Sequence, residues 1–396
     1  MGKRIENLRR VMKGVLLIGF SVQIILGLLW MILNFPGSSM MTESLFCMKV
    51  NPVTVCIQYV LQVLLAFGAA RFFLREWGVQ DKKRNIWAAL VLLTFPMAMQ
   101  CHLSVGAESL LGSVLLIQVG VLLKLQKPGM EKREHKRAYA NILLLSVLLI
   151  ALGISAGMQE HGADYRGGRL GFASAMASRF AWSSLNETYN GWSEELKAVL
   201  PLSKTREITY YADNVYRVLL PTLEEAYGTE ASGTRQVQEA LWQLSKTALQ
   251  GNTKGIVREI SWDAAGYCLT PMVFLLQLVG KGYDSYSGIL YDRMLQGTPR
   301  LSRLYMLYSC KWFCMAWIMT LLLGSVEGKA DTADKRKALK RNLVSLLPLG
   351  ILVVWCTFRG AGMMDYRKAI AVVWMWLAWM VKGVCGTDIK ADRVRE

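Results

Sequence analysis

Most signatures of a soluble enzyme are missing from this sequence. It has no GxxxxGK[ST] phosphate loop, no GxGxxG after a strand pattern and no HExxH pair. Histidine occurs only at positions 102, 135 and 161, and His135 stands in a basic run that reads as solvated. Cysteine occurs eight times but never as CxxC. Cys310 and Cys314 lie four apart with no histidine at ligand spacing, which suits packing on one helix and argues against a metal or disulfide framework. Alternating strand patterns are scarce, and there is neither an internal repeat nor a low-complexity tract. Acidic residues are also in deficit, 29 Asp and Glu against 46 Lys and Arg.

What the chain has instead is apolar residues gathered into long blocks. The composition is 53% hydrophobic, and a block of about 20 apolar residues spans the hydrocarbon core of a bilayer. Residues 14–33 are one such block. They follow a basic start (Lys3, Arg4, Arg9, Arg10, Lys13) but run too long for a signal-peptide core, and no small-residue cleavage site follows. Eight spans are expected, near 14–33, 53–74, 86–100, 104–125, 141–157, 302–324, 342–358 and 368–386. The connecting segments then divide by charge. Residues 1–13, 71–84, 124–139, 325–341 and 382–396 carry 26 Lys and Arg against 11 Asp and Glu, leaving 20 against 18 for all the rest. The two sets alternate along the chain, so the basic set is expected in the cytoplasm and both termini with it. Basic residues in short segments between apolar blocks do not line a groove, which excludes nucleic acid as the partner and leaves membrane lipid.

The fold expected is all-α: a polytopic membrane bundle of about eight spans with one helical extracytoplasmic domain inserted after the fifth. Residues 1–157 form the first five spans, 158–300 the external domain, and 301–396 the last three spans with a cytoplasmic tail. Within the domain Val237, Leu241, Leu244 and Ala248 recur at helical spacing, with Leu249 widening the face, Thr234 as a cap and Gly251 as the end. Pro271 to Val279 is apolar but too short to span.

Candidate chemistry concentrates at the external helix ends. Glu43 is the only acid of the first external loop, where a carboxylate acts as general base or holds a divalent cation, the one cofactor the sequence suggests. The plainer reading is a solvated loop residue. Pro96 loosens the third helix near its end. Glu108 lies just inside the next apolar run, where it needs a partner such as His102, an arginine or an ion, or else serves as a packing contact. The turn from Phe358 to Lys368 brings Arg359, Asp365, Tyr366, Arg367 and Lys368 together among glycines, suited to phosphate or to anchoring against headgroups. The stretches Ser178–Trp182 with Trp192, and Lys281–Tyr286, read first as core or interfacial aromatics and second as sugar platforms.

A first-loop acid (Glu43), a helix-Pro-turn-Glu-helix hairpin from Thr94 to Leu111, and a late turn rich in Arg, Asp and Tyr together resemble the GT-C glycosyltransferases. The resemblance covers about the first 160 residues. It departs in carrying a single Glu where family members usually have Asp, often paired, and in placing the large domain between spans. It implies a bacterial cytoplasmic-membrane enzyme that moves a sugar, with inversion, from a polyprenyl-phosphate carrier to an envelope acceptor. Glu43 would be the catalytic base, Glu108 a supporting carboxylate, and Arg359, Arg367 and Lys368 the carrier-phosphate contacts. A non-enzymatic membrane scaffold displaying its external domain, and a transporter or flippase, are the competing readings.

Overall fold

The computed structural model describes residues 2–33, 52–96, 98–99, 107–127, 129–160, 168–210, 214–268, 300–326, 343–359 and 370–385, and among them there is no strand. The main helices are α1 (Gly2–Leu33), α2 (Pro52–Glu76), α3 (Lys82–Leu93), α4 (Ala107–Leu125), α5 (Lys132–Glu160), α6 (Gly168–Phe180) and α7 (Glu194–Val199). They continue with α8 (Leu202–Ile208), α9 (Leu220–Tyr227), α10 (Ala231–Gly251), α11 (Thr253–Cys268), α12 (Arg300–Val326), α13 (Leu347–Arg359) and α14 (Ile370–Cys385). The chain divides into two compact units, one holding α1 to α5, α12, the first turn of α13 and α14, the other α6 to α11 and the rest of α13 from Leu352.

In the first unit, Glu6–Ile32, Ile57–Glu76 and Lys132–Leu152 are long and apolar enough to cross a membrane. Ser109–Leu125, Lys311–Leu323 and Ile370–Cys385, like Leu347–Thr357 of α13, are apolar but shorter. The surface of this unit is apolar where a soluble protein's would be polar. On α5, Leu143, Leu144, Val147 and Ile150 are exposed, as are Ile18, Ile25 and Ile32 on α1 and Ile57, Leu61 and Leu64 on α2. α14 is the opposite case, buried on most of its circumference against α1, α3, α4 and α12.

Small residues let these helices approach closely. A methyl on Gly120 would lie 2.6 Å from the Phe72 ring, and one on Gly27 would lie 2.7 Å from Thr94 Cβ. Packing direction follows from such pairs. Ser21 meets Trp87 and Gln23 meets Val91, so α1 and α3 run in parallel. Arg84 donates to the Cys385 carbonyl while Trp374 reaches Leu92, so α14 runs against α3. Gln118 meets Ser146 and Lys124 lies near Glu134, so α5 runs against α4. As a result the ends of α2, α4 and α14 and the starts of α3 and α5 meet at one end of the unit, which carries Arg84, Lys124, Lys127 and Lys382. There Lys127 Nζ lies 2.7 Å from Glu76, and Gln126 donates to Ser345. Asn85 ties the turn, donating to the carbonyls of Arg71 and Val79 and accepting from Arg71 Nε.

The other end of α3 is set by Pro96. Proline has no amide hydrogen, so the carbonyl four residues earlier loses its helical donor. That carbonyl belongs to Leu92, and Trp374 Nε1 donates to it at 2.9 Å. Gln23 Nε2 donates to the Val91 carbonyl at 3.1 Å, and the Tyr305 hydroxyl donates to the Thr94 carbonyl. Side chains from three helices thus complete the end of a fourth. The span expected over 86–100 is therefore a helix that starts earlier, at Lys82, and stops at Leu93.

The second unit has its own core, in which Leu170, Leu185, Trp192, Leu219, Leu223, Val237, Leu241 and Leu244 are buried. The apolar face expected on α10 is present, with Ala240 and Ser245 also buried, but Leu249 is 38% exposed and does not widen it. The expected cap at Thr234 is also corrected. α10 begins at Ala231 after Glu230, because Gly228 turns the chain with φ +86° one turn earlier. The helix ends at Gly251 as its sequence indicates.

Candidate functional site

Of the candidate residues, Glu108 lies in the first unit and Arg359 in the second. Glu43, His102, Asp365, Tyr366, Arg367 and Lys368 lie outside the described residues. Glu108 is the second residue of α4 and Arg359 the last of α13, with their side chains outside the described part. A carboxylate in the first turn of a helix is favoured by the helix dipole, which accounts for Glu108 there without a ligand. The stretch Lys281–Tyr286 and the apolar run Pro271 to Val279 also lie outside the described residues.

The described ends of α1 and α3 in the first unit rest on an aromatic floor. Trp30, Tyr59, Met99 and Tyr305 form a buried cluster from α1, α2, the segment after α3, and α12. The Trp30 and Tyr305 rings lie 5.7 Å apart, tilted by 32°. Gln23 and Gln62 are fully buried nearby in sequence on α1 and α2. The floor fixes the ends of α1 and α3, from which the Glu43 loop and the hairpin toward Glu108 depart. Among the described residues no three His, Cys, Asp or Glu side chains gather as a metal site.

In the second unit the sequence reading missed a buried charged cluster. Arg179, at the end of α6, is fully buried, and its Nη1 lies 2.5 Å from Asp263 Oδ2 on α11. One turn earlier on α11, Glu259 accepts from Trp182 Nε1 and Ser183 Oγ, each at 3.0 Å. Burial pushes the Glu259 carboxyl above its ordinary range, against the Ser183 hydrogen bond and the Arg179 charge, with Asp263 adding to the rise and the Trp182 bond opposing it. The Nε and Nη2 of Arg179 have no partner among the described residues. Two acids four apart, Glu259 and Asp263, were the available signal: on a helix that spacing puts both on one face. Trp192 is core, as the plainer reading expects, packed against Tyr189 with ring centroids 5.1 Å apart.

One local string needs its context. Gly153-Ile154-Ser155-Ala156-Gly157 has the form GxSxG, but it runs within the continuous helix α5, whereas a nucleophile elbow needs a strand-to-helix turn. Comparison with known proteins gives no match, whether to family models, curated proteins or solved structures.

Proposed function

We propose that the chain is an eight-span bacterial membrane protein of the GT-C type. It transfers a sugar from a polyprenyl-phosphate carrier to an envelope acceptor, with α6 to α11 as an external domain inserted after the fifth span. The observation that supports this reading is the meeting of the basic-flanked ends of α2, α4 and α14 with the starts of α3 and α5 at one end of an apolar-surfaced bundle. With that end in the cytoplasm, α1 and α3 deliver their following loops, and α4 and α14 begin, on the external side. The loop with Glu43, the hairpin with His102 and Glu108, and the turn ending at Lys368 are then neighbours in depth.

The chemistry follows from those groups. Glu43 takes the proton from an acceptor hydroxyl, whose oxygen attacks the anomeric carbon as the bond to the carrier phosphate breaks. Arg359 and Arg367 stabilise the charge on the departing phosphate, at a depth where water is sparse and such contacts count for more. Glu108 positions the hairpin or holds a divalent cation. The test is sugar release from a polyprenyl-phosphate-sugar pool by membranes carrying the chain. Transfer that is lost in Glu43→Gln and Glu108→Gln supports the reading, and equal transfer in wild type and both variants overturns it.

One observation favours a second reading, a non-enzymatic scaffold. The inward charged groups Arg179, Glu259 and Asp263 of the second unit tie the α6 end to α11, as in a domain built for display. A stable envelope partner captured by crosslinking, with no transfer activity, would select it.

A further inference from the structure

The exposed face of α2 is a single stripe with two chemistries. Ile57, Leu61 and Leu64 are 55%, 59% and 61% exposed, and Gly68 follows at the same helical phase, with open space where a side chain would stand. Seven residues further, about 10 Å along the axis, the stripe ends in Arg75, whose side chain is 61% exposed. Its guanidinium stacks over Phe72 at 5.6 Å, and that of Arg71 lies 5.8 Å from the Phe67 ring. Around this end stand Lys127, paired with Glu76, Arg84, bonded to the Cys385 carbonyl, and Lys382, over the Trp77 ring at 5.1 Å. Cations therefore outnumber Glu76 and the capping Asp81 at the end of an apolar track with a notch in it.

We infer that this stripe is a binding site for one anionic phospholipid, an inference that rests on the membrane reading above. An acyl chain lies along Ile57, Leu61 and Leu64 and enters the Gly68 notch, and the phosphate sits at Arg75 beside Arg71 and Lys127. Charge complementarity chooses the occupant: a zwitterionic headgroup brings its own cation into a surface already rich in them, and an anionic one does not. Glu76 is shared by Arg75 and Lys127, so one carboxylate stands against two cations and positive charge is left over for a phosphate.

The test uses the full chain in phosphatidylcholine nanodiscs doped with spin-labelled phosphatidylglycerol or spin-labelled phosphatidylcholine, reading the immobilised fraction of each. The wild type selects phosphatidylglycerol. Arg75→Gln lowers that selection about fivefold, the weight of one cation near an anionic surface. Gly68→Leu fills the notch and lowers it too, although every charge remains. Arg133→Gln, which removes a cation from exposed α5, leaves selection unchanged. Thermal unfolding of each variant confirms that the bundle is intact. No selection by the wild type, or an equal loss in Arg75→Gln and Arg133→Gln, overturns the site while the membrane reading stands. A chain that does not enter nanodiscs at all overturns the membrane reading itself.

Discussion

The indole nitrogen of Trp374 sits 2.9 Å from the carbonyl oxygen of Leu92, the group whose helical donor would be the amide hydrogen that Pro96 lacks. Trp374 and Pro96 are therefore linked through the Leu92 oxygen, an atom that belongs to neither. Trp374→Phe removes the indole donor and leaves a buried carbonyl unmatched, at a cost of about 1–3 kcal/mol. Pro96→Ala gives Leu92 a helical donor again. The loss caused by Trp374→Phe should accordingly shrink in the Pro96→Ala background, as a double-mutant cycle of unfolding in detergent measures. Additive losses would show that Trp374 acts by packing alone.

The Arg179–Asp263 pair gives a prediction for the second unit. Asp263→Asn leaves a fully buried guanidinium without its counter-charge, a change that costs about 3–5 kcal/mol. Hydrogen exchange should quicken along α6 and α11 before it changes in α1 or α4. Uniform loss of protection in both units would mean that the pair is not local to the second.

Glu259 sets a pH dependence of definite sign. Its carboxyl titrates above the ordinary value in the folded domain, so the folded state binds the proton more tightly than the unfolded one. Stability then rises as pH falls from neutral through the raised value, and levels off below the ordinary carboxylate range. In Glu259→Gln this rise disappears, while an amide oxygen still accepts from Trp182. Thermal unfolding of the second unit, followed from neutral pH down to the ordinary carboxylate range at about pH 4, reads it. A wild-type midpoint that falls with acidification contradicts the assignment.

Topology is checked by single cysteines in a background without the native ones. Leu144→Cys on the exposed face of α5 should react with a lipid-soluble maleimide and resist a water-soluble one. Tyr210→Cys, at a site 75% exposed in the second unit, should react on intact cells with a reagent that does not cross membranes. Labelling of Tyr210→Cys only after lysis would place the domain on the wrong side.

The backbone of the bundle was largely legible in advance because apolar blocks and basic connectors follow from the solvent, not from particular contacts. Each described helix of the first unit overlaps an expected apolar block, and three of them are long and apolar enough to cross a membrane. Legibility failed where a residue's role depends on a distant partner. Thr234 and Leu249 look like a cap and a core residue by spacing alone, but the turn at Gly228 and the packing of α6 against α10 decide otherwise. Arg179 read as one member of an aromatic-rich stretch, because its partner stands 84 positions away. The acids and arginines of the candidate site were chosen by type and depth, and their side chains lie outside the described residues.

The three side chains that finish α3 arise at very different moments of synthesis. Gln23 is already made when the helix emerges, but Tyr305 is translated 211 residues after Thr94 and Trp374 282 residues after Leu92. During the interval the nascent α3 leaves the ribosome with two bare carbonyls, which hydrocarbon does not tolerate. Those carbonyls keep water as their partner until α12 and α14 are made. A nascent chain stalled before α14 therefore holds an α3 whose Leu92 carbonyl lacks the Trp374 donor.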